Sequence, residues 1–99
     1  MKVNILERTK NSLKIELEGE GHTFCNILQK TLLLDRDVEY AGYNVPHPLT
    51  NASFVELKVK GSRRAEKVLI SSAKKIGTDA KEFEEKIGAA LAKYSPRNE

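Results

Sequence analysis

Polar and apolar residues change rhythm several times along this chain, and each rhythm marks an element. From Ser12 to Glu18 they alternate one for one. Leu13, Ile15 and Leu17 fall on one side and Lys14, Glu16 and Glu18 on the other, the pattern of a half-buried strand. Val3 and Ile5 share a face in the same way, just ahead of the polar stretch Arg8-Thr9-Lys10-Asn11. Residues 2–18 are therefore expected to form an antiparallel hairpin, ended by Gly19-Glu20-Gly21, whose glycines tolerate positive φ. The period then lengthens. Phe24, Ile27, Leu28, Thr31 and Leu32 follow the i, i+3, i+4, i+7, i+8 spacing of a helix, with Thr23 as the expected N-cap. Asp37–Pro46 reads as a third strand, with Val38, Tyr40 and Gly42 alternating and Gly42 marking a bulge or a close approach. Ala52–Gly61 reads as a fourth, with Val55, Leu57 and Val59 on one face, and Gly61-Ser62 then supplies a turn and an N-cap.

The remainder is helical in pattern. Leu69, Ser72/Ala73, Ile76, Ala80, Phe83, Ile87, Ala90 and Tyr94 recur at spacings of three and four, a heptad-like seam. Gly77-Thr78-Asp79 is the soft spot, and Asp79 with Glu82 would make a capping pair for a new helix. Because the seam stays in phase across Gly77, the expectation is one long helix, about 45 Å at about 1.5 Å per residue. The order is then β-β-α-β-β-α over a single domain spanning residues 1–99. This is an α+β fold, a four-stranded antiparallel sheet with two helices on one face.

Two features of this pattern exceed what the domain needs for itself. The apolar arc of the first helix, from Leu34 through Ile27, Phe24 and Leu28 to Leu32 and Cys25, spans roughly 180°, where a helix covering its own sheet needs little more than about 100°. The last helix is longer than a small sheet can cover. A 99-residue chain also buries only about 60–70% of its unfolded surface. A protein partner is expected to cover the surplus.

Composition narrows the class. With 39% hydrophobic and 31% charged residues the chain has a globular rather than a disordered balance. The longest apolar run, Leu32-Leu33-Leu34, is far below the ~20 residues of a membrane span. The N-terminal ten residues lack a signal-peptide core, and one cysteine suits a reducing compartment, so a cytoplasmic location is expected. The net charge of +3 sits in the second half, with eleven Lys/Arg against seven Asp/Glu in residues 51–99 and six against seven before them. Lys58, Lys60, Arg63, Arg64 and Lys67 form a basic corner that would suit phosphates, the basis of the alternative reading as an independent nucleic-acid-binding module. That corner lacks the interleaved aromatics that stack bases, and a helix start is a poor place for arginine unless an anion or a partner's carboxylate is near.

Catalytic chemistry has little support. His22, Cys25 and His47 are the only zinc or nucleophile candidates, and a structural zinc site takes four ligands in paired spacings. Cys25 near a helix start could be an activated thiolate, but it lies at the edge of the apolar arc, where a small buried residue is the ordinary reading. Asp35, Asp37 and Glu39 cluster around a loop and are expected to be solvated rather than paired. No catalytic residue, metal or cofactor is expected. Pro46-His47-Pro48 restricts the backbone at three successive positions, which makes a rigid corner after the third strand rather than a base or ligand.

The stretch from Gly19 to Leu49 resembles the archaeal RNA polymerase subunit L family, which includes the smaller α-like subunits of eukaryotic polymerases and is related to the bacterial α N-terminal domain. The residues that carry the resemblance are His22-Thr23-Phe24, Asn26, Leu28 and Leu32-Leu33, then Val38 and Ala41-Gly42-Tyr43, then Pro46-His47-Pro48-Leu49. Phe24 and Cys25 stand where the family often has Leu and Gly. The resemblance implies a dimerisation domain with no active site of its own, within an enzyme that is a nucleotidyltransferase. It implies pairing with a larger α-like subunit, called D in archaea, as the platform on which other RNA polymerase subunits assemble; DNA would be met only through the assembled enzyme. Carried onto this chain, Phe24, Ile27, Leu28, Thr31 and Leu32 would supply first-helix contacts. Ile76, Ala80, Phe83, Ile87 and Leu91 would form a C-terminal seam shared between the chain's own sheet and the partner.

Overall fold

The computed structural model describes residues 1–46, 52–77 and 80–94. Four strands and three helices follow in the order β1 (Lys2–Arg8), β2 (Ser12–Glu18), α1 (His22–Leu32), β3 (Val38–Asn44), β4 (Ala52–Val59), α2 (Ala65–Ile76) and α3 (Lys81–Lys93). The strands form one antiparallel sheet in the order β1-β2-β4-β3. All three helices lie on one of its faces: α1 packs on β3, α2 on β2 and β4, and α3 on β1.

The alternation in β2 and β4 turns directly into the core. Leu13 pairs with Leu57, Ile15 with Val55 and Leu17 with Ser53, and all six side chains are buried under the helices. Ser53 is the polar member of that row, and its hydroxyl donates to the Glu20 carbonyl at 2.5 Å, which satisfies it away from water. The β1–β2 hairpin is closed by Thr9, whose amide donates to the Ser12 carbonyl and whose hydroxyl accepts from the Ser12 amide.

β3 departs from the expected phase. Its register against β4 shifts between Val38 and Tyr40, so an extra residue sits opposite Val59 and Lys58. After the shift Ala41 and Tyr43 face the core, while Tyr40 and Gly42 turn to the outer face. The expected close approach at Gly42 is present: a Cβ there would lie 2.5 Å from the Tyr40 hydroxyl oxygen, because the Tyr40 ring lies across the glycine.

The expected single C-terminal helix is two helices. The chain reverses at Gly77, whose φ of 96° is one that L side chains rarely adopt, and α3 returns to cover β1. The reason is burial. In a straight helix Ala80, Phe83 and Ile87 would project past the sheet into water; folded back, all three are fully enclosed. Among the described residues no helix therefore overhangs the sheet, and the length of the C-terminal segment is not a separate sign of a partner. The expected side-chain caps are absent as well: α1 and α2 begin after Gly21 and Arg64, without a side-chain cap hydrogen bond, rather than at Thr23 and Ser62. Asp79 of the suggested Asp79–Glu82 pair lies outside the described residues.

Phe83 closes the core between α1 and α3, its ring meeting that of Phe24 edge-on at a centroid distance of 5.1 Å. Phe83→Ala is expected to destabilise the chain by about 3–5 kcal/mol in denaturant titration, a large share of a small domain's stability. A loss below about 1 kcal/mol would mean that the ring is not enclosed.

Candidate subunit interface

Helix α1 has two working sides. Cys25, Leu28 and Leu32 point into the core with at most 1% exposure, as the 3.6-residue repeat directs. Ile27, on the opposite side of the arc, is 46% exposed, and the turn that ends the helix adds Leu33 at 54% and Leu34 at 78%. Phe24 lies between the two sides, half-buried with one edge on Phe83, and Thr31 is half-buried with its hydroxyl donating to the Ile27 carbonyl at 2.8 Å. The outcome is a set of uncovered apolar side chains, Ile27 on the helix and Leu33 and Leu34 at its end.

Three contacts fix α1 against β3 and so aim these side chains. The His22 ring meets Tyr43 edge-on at 5.7 Å between centroids, and its Nδ1 lies 3.3 Å from the Tyr43 hydroxyl. Gln29 donates its side-chain amide to the Ala41 carbonyl at 3.0 Å. Beyond the helix, Leu34 and Asp35 donate their amides to Thr31 and Leu32 carbonyls, a tight turn that holds Leu33 and Leu34 outward. Thr23 and Asn26 are exposed on the same helix, and Pro46 is exposed two residues past the end of β3, while His47 and Pro48 lie outside the described residues.

The residues expected at an interface thus divide. Ile27 is exposed; Phe24, Thr31, Ile76 and Leu91 are half-buried; Leu28, Leu32, Ala80, Phe83 and Ile87 have no exposed surface in this conformation. Leu33 and Leu34 were outside the expected interface set, although their run with Leu32 was visible in the sequence. On the outer face of the sheet a 390 Å³ groove of mixed character is lined by Leu6, Tyr40, Pro46 and Phe54 together with Lys14, Asn44 and Glu56.

The two arginines of the basic corner meet carboxylates of the chain itself, while Lys58, Lys60 and Lys67 stay exposed. Arg63 pairs with Asp37 at 2.7 Å and with Asp35 at 3.1 Å, so two carboxylates expected to be solvated are ion-paired. Glu66 takes Arg64 on one carboxylate oxygen at 3.1 Å and Arg8 on the other at 2.9 Å. Arg8 also donates to the Leu91 and Tyr94 carbonyls at the end of α3. No sequence rule signals a pairing across 58 residues such as that of Arg8 with Glu66.

These contacts set the protonation of the acids. An amide hydrogen bond from Asp37, followed by the charge of Arg63, holds the Asp35 carboxyl below its ordinary range. For Glu66, burial works upward, but hydrogen bonds from Arg64 and Arg8 and their charges outweigh it and hold the carboxyl low. Burial pushes the Cys25 thiol up, against an opposing hydrogen bond with Ser53 and with added repulsion from Glu20. Cys25 is a protonated core residue rather than a thiolate. Among the described residues no three or more His, Cys, Asp and Glu side chains are grouped to hold a metal ion, and no helix is long and apolar enough to cross a membrane.

A small α+β domain with every helix on one sheet face and large apolar side chains left on the outside is an association domain. Comparison with known proteins gives the family. Residues 12–86 match the model of the RNA polymerase Rpb3/Rpb11 dimerisation domain, and the chain belongs to that family. It is 40% identical over 93 residues to the DNA-directed RNA polymerase subunit Rpo11 of Thermococcus kodakarensis, covering 92% of this chain and 99% of that one. The Rpo11 of Pyrococcus furiosus is 38% identical over 84 residues, 83% of this chain and 88% of that one. The crystal structure of DNA-directed RNA polymerase subunit L from Thermoplasma acidophilum shares the fold, with a TM-score of 0.67 at 17% identity over 95% of this chain and 96% of that one.

Both low-titrating carboxyls contribute stability that is complete above their ordinary values near about 4 and is lost as pH falls through their lower folded values. The melting temperature is therefore expected to drop between about pH 5 and about pH 2, with a shallower drop in Glu66→Gln. Equal slopes would show that the Arg8–Glu66–Arg64 cluster does not couple to folding. Cys25 is expected to resist thiol reagents in the folded chain and to react at once in denaturant; prompt labelling of the native form would contradict its burial.

Proposed function

We propose that this chain is the small assembly subunit of a DNA-directed RNA polymerase, working in the cytoplasm as the pairing partner of a larger α-like subunit. The observation that carries the reading is the set Ile27, Leu33 and Leu34, uncovered in a chain whose family is defined by dimerisation. Large apolar side chains left exposed close together in the sequence of a small domain suit a protein contact. The pair would form the platform for the catalytic subunits, with the polymerase chemistry and DNA contact lying in those subunits.

The energetics fit a heterodimer built around α1. Burying Ile27, Leu33 and Leu34 contributes about 1.5–3 kcal/mol each. Association costs about 4–15 kcal/mol. Those three side chains alone leave little surplus, so the interface must extend over neighbours such as Phe24, Thr31 and Ile76. Stable interfaces cover about 800 Å² per partner. Leu28 and Leu32 act from beneath, holding the helix at the height where its outer side meets the partner.

The internal pairing of Arg63 and Arg64 counts against an independent nucleic-acid-binding module, because a guanidinium already held by carboxylates has less to offer a phosphate.

Ile27→Asp is the direct test. The side chain is on the surface, so the melting temperature should move by no more than about 3 °C. Co-purification with the larger α-like subunit should be lost, because an aspartate would be buried unpaired. Wild-type yield of the complex with Ile27→Asp would overturn the assignment of α1. Strong, salt-dependent binding of DNA or RNA by the isolated wild-type chain would favour the nucleic-acid reading instead.

A further inference from the structure

The β1–β2, β4–α2 and α1–β3 connections meet at one end of the sheet, and hydrogen bonds tie them together. Asn11, in the first of them, donates its side-chain amide to the Arg63 carbonyl at 2.9 Å and to the Gly61 carbonyl at 3.3 Å. Lys10 adds a backbone tie, its carbonyl accepting the Ala65 amide at 2.8 Å. Arg63, anchored in this way, reaches on to the α1–β3 turn. Its guanidinium donates to Asp37 Oδ2 at 2.7 Å and to Asp35 Oδ2 at 3.1 Å. The Asp37 amide in turn donates to Asp35 Oδ1 at 2.9 Å. One planar fork therefore grips both carboxylates of the turn.

Leu33 and Leu34 stand at the start of that turn and point into water. Two leucines so placed would lower their free energy by folding back on the domain's own apolar surface. The backbone bonds of the turn and the Arg63 fork oppose that collapse. The fork has little else to do. The Arg63 side chain is 39% exposed, and ion pairs at such exposure contribute little to global stability. Its geometry, by contrast, is specific, because one rigid group has to meet carboxylates on two residues at once.

We infer that Arg63 is a positioning residue for pairing: it holds the α1–β3 turn in the conformation in which Leu33 and Leu34 meet the partner, while Asn11 fixes the corner that carries it. The inference rests on the pairing reading above and adds what readies the interface before the partner arrives. A turn already in its bound conformation spares the partner the cost of ordering it. A turn that holds this conformation only part of the time weakens binding in proportion to that fraction.

Arg63→Ala in the full chain is the first test, read by calorimetric titration against the larger α-like subunit. The melting temperature should move by no more than about 3 °C. The Kd should rise about ten-fold, and amide exchange at Leu34 in the free chain should quicken with it. An unchanged Kd overturns the inference. So does a raised Kd with unchanged exchange at Leu34, which would put Arg63 against the partner rather than on the turn.

Arg63→Lys divides those roles a second way. A lysine keeps the charge but lacks the planar fork, so it should recover only part of the lost affinity. Full recovery would mean that charge alone matters, and would overturn the positioning role. Asp37→Ala opens the fork from its other side and serves should Arg63→Ala fail to fold. It should weaken pairing in the same direction, and adding it to Arg63→Ala should cost little more. Full additivity in the double variant counts against the inference just as firmly. A wild-type chain that does not pair at all sinks the pairing reading and this inference together. A pairing wild type whose Arg63→Ala variant pairs as tightly sinks only the second.

Discussion

One face of a four-stranded sheet has to be kept dry, and three short helices must do it. That requirement explains most of the molecule. β2 and β4 occupy the centre and take α2 over them; β3 and β1 lie at the two edges and take α1 and α3. Each helix can turn only one side inward, and α1 carries more apolar surface than its inner side can use. What is left over on α1 is exposed apolar surface, in a chain of a dimerisation-domain family.

The sequence was most legible where one physical rule acted alone. In β2 and β4 a period of two on a sheet with one buried face leaves no freedom, and the expected inward residues are the observed ones. β3 was misread because one extra residue before Tyr40 inverts every later side chain, and no residue type announces that insertion. The C-terminal segment was misread for a different reason. A seam of threes and fours has the same appearance in one long helix and in two that face the same core. Only the burial of Phe83, with Gly77 free to take the reversal, decides, and that depends on where β1 lies.

The candidate interface was legible in outline for the same reason. The width of the apolar arc announced a surplus on α1, but which residues fall on the outside depends on how the helix docks, through His22 on Tyr43 and Gln29 on Ala41. Leu28 and Leu32, expected at the interface, lie inward as a result. The charge pattern was less informative still. A basic corner in the sequence became, in three dimensions, a set of guanidinium groups each facing a carboxylate that arrives from elsewhere in the chain. Net charge by segment said nothing of those meetings.

The bond from Gln29 to the Ala41 carbonyl bears on how the chain survives before assembly. β3 borders the sheet, and a bare border strand is a template on which stray chains can stack. A side-chain amide seated on one of its acceptors spoils that template without adding a residue to the fold. A subunit that waits for its companion with a greasy helix outside can ill tolerate a sticky margin as well, and this single glutamine removes part of that hazard.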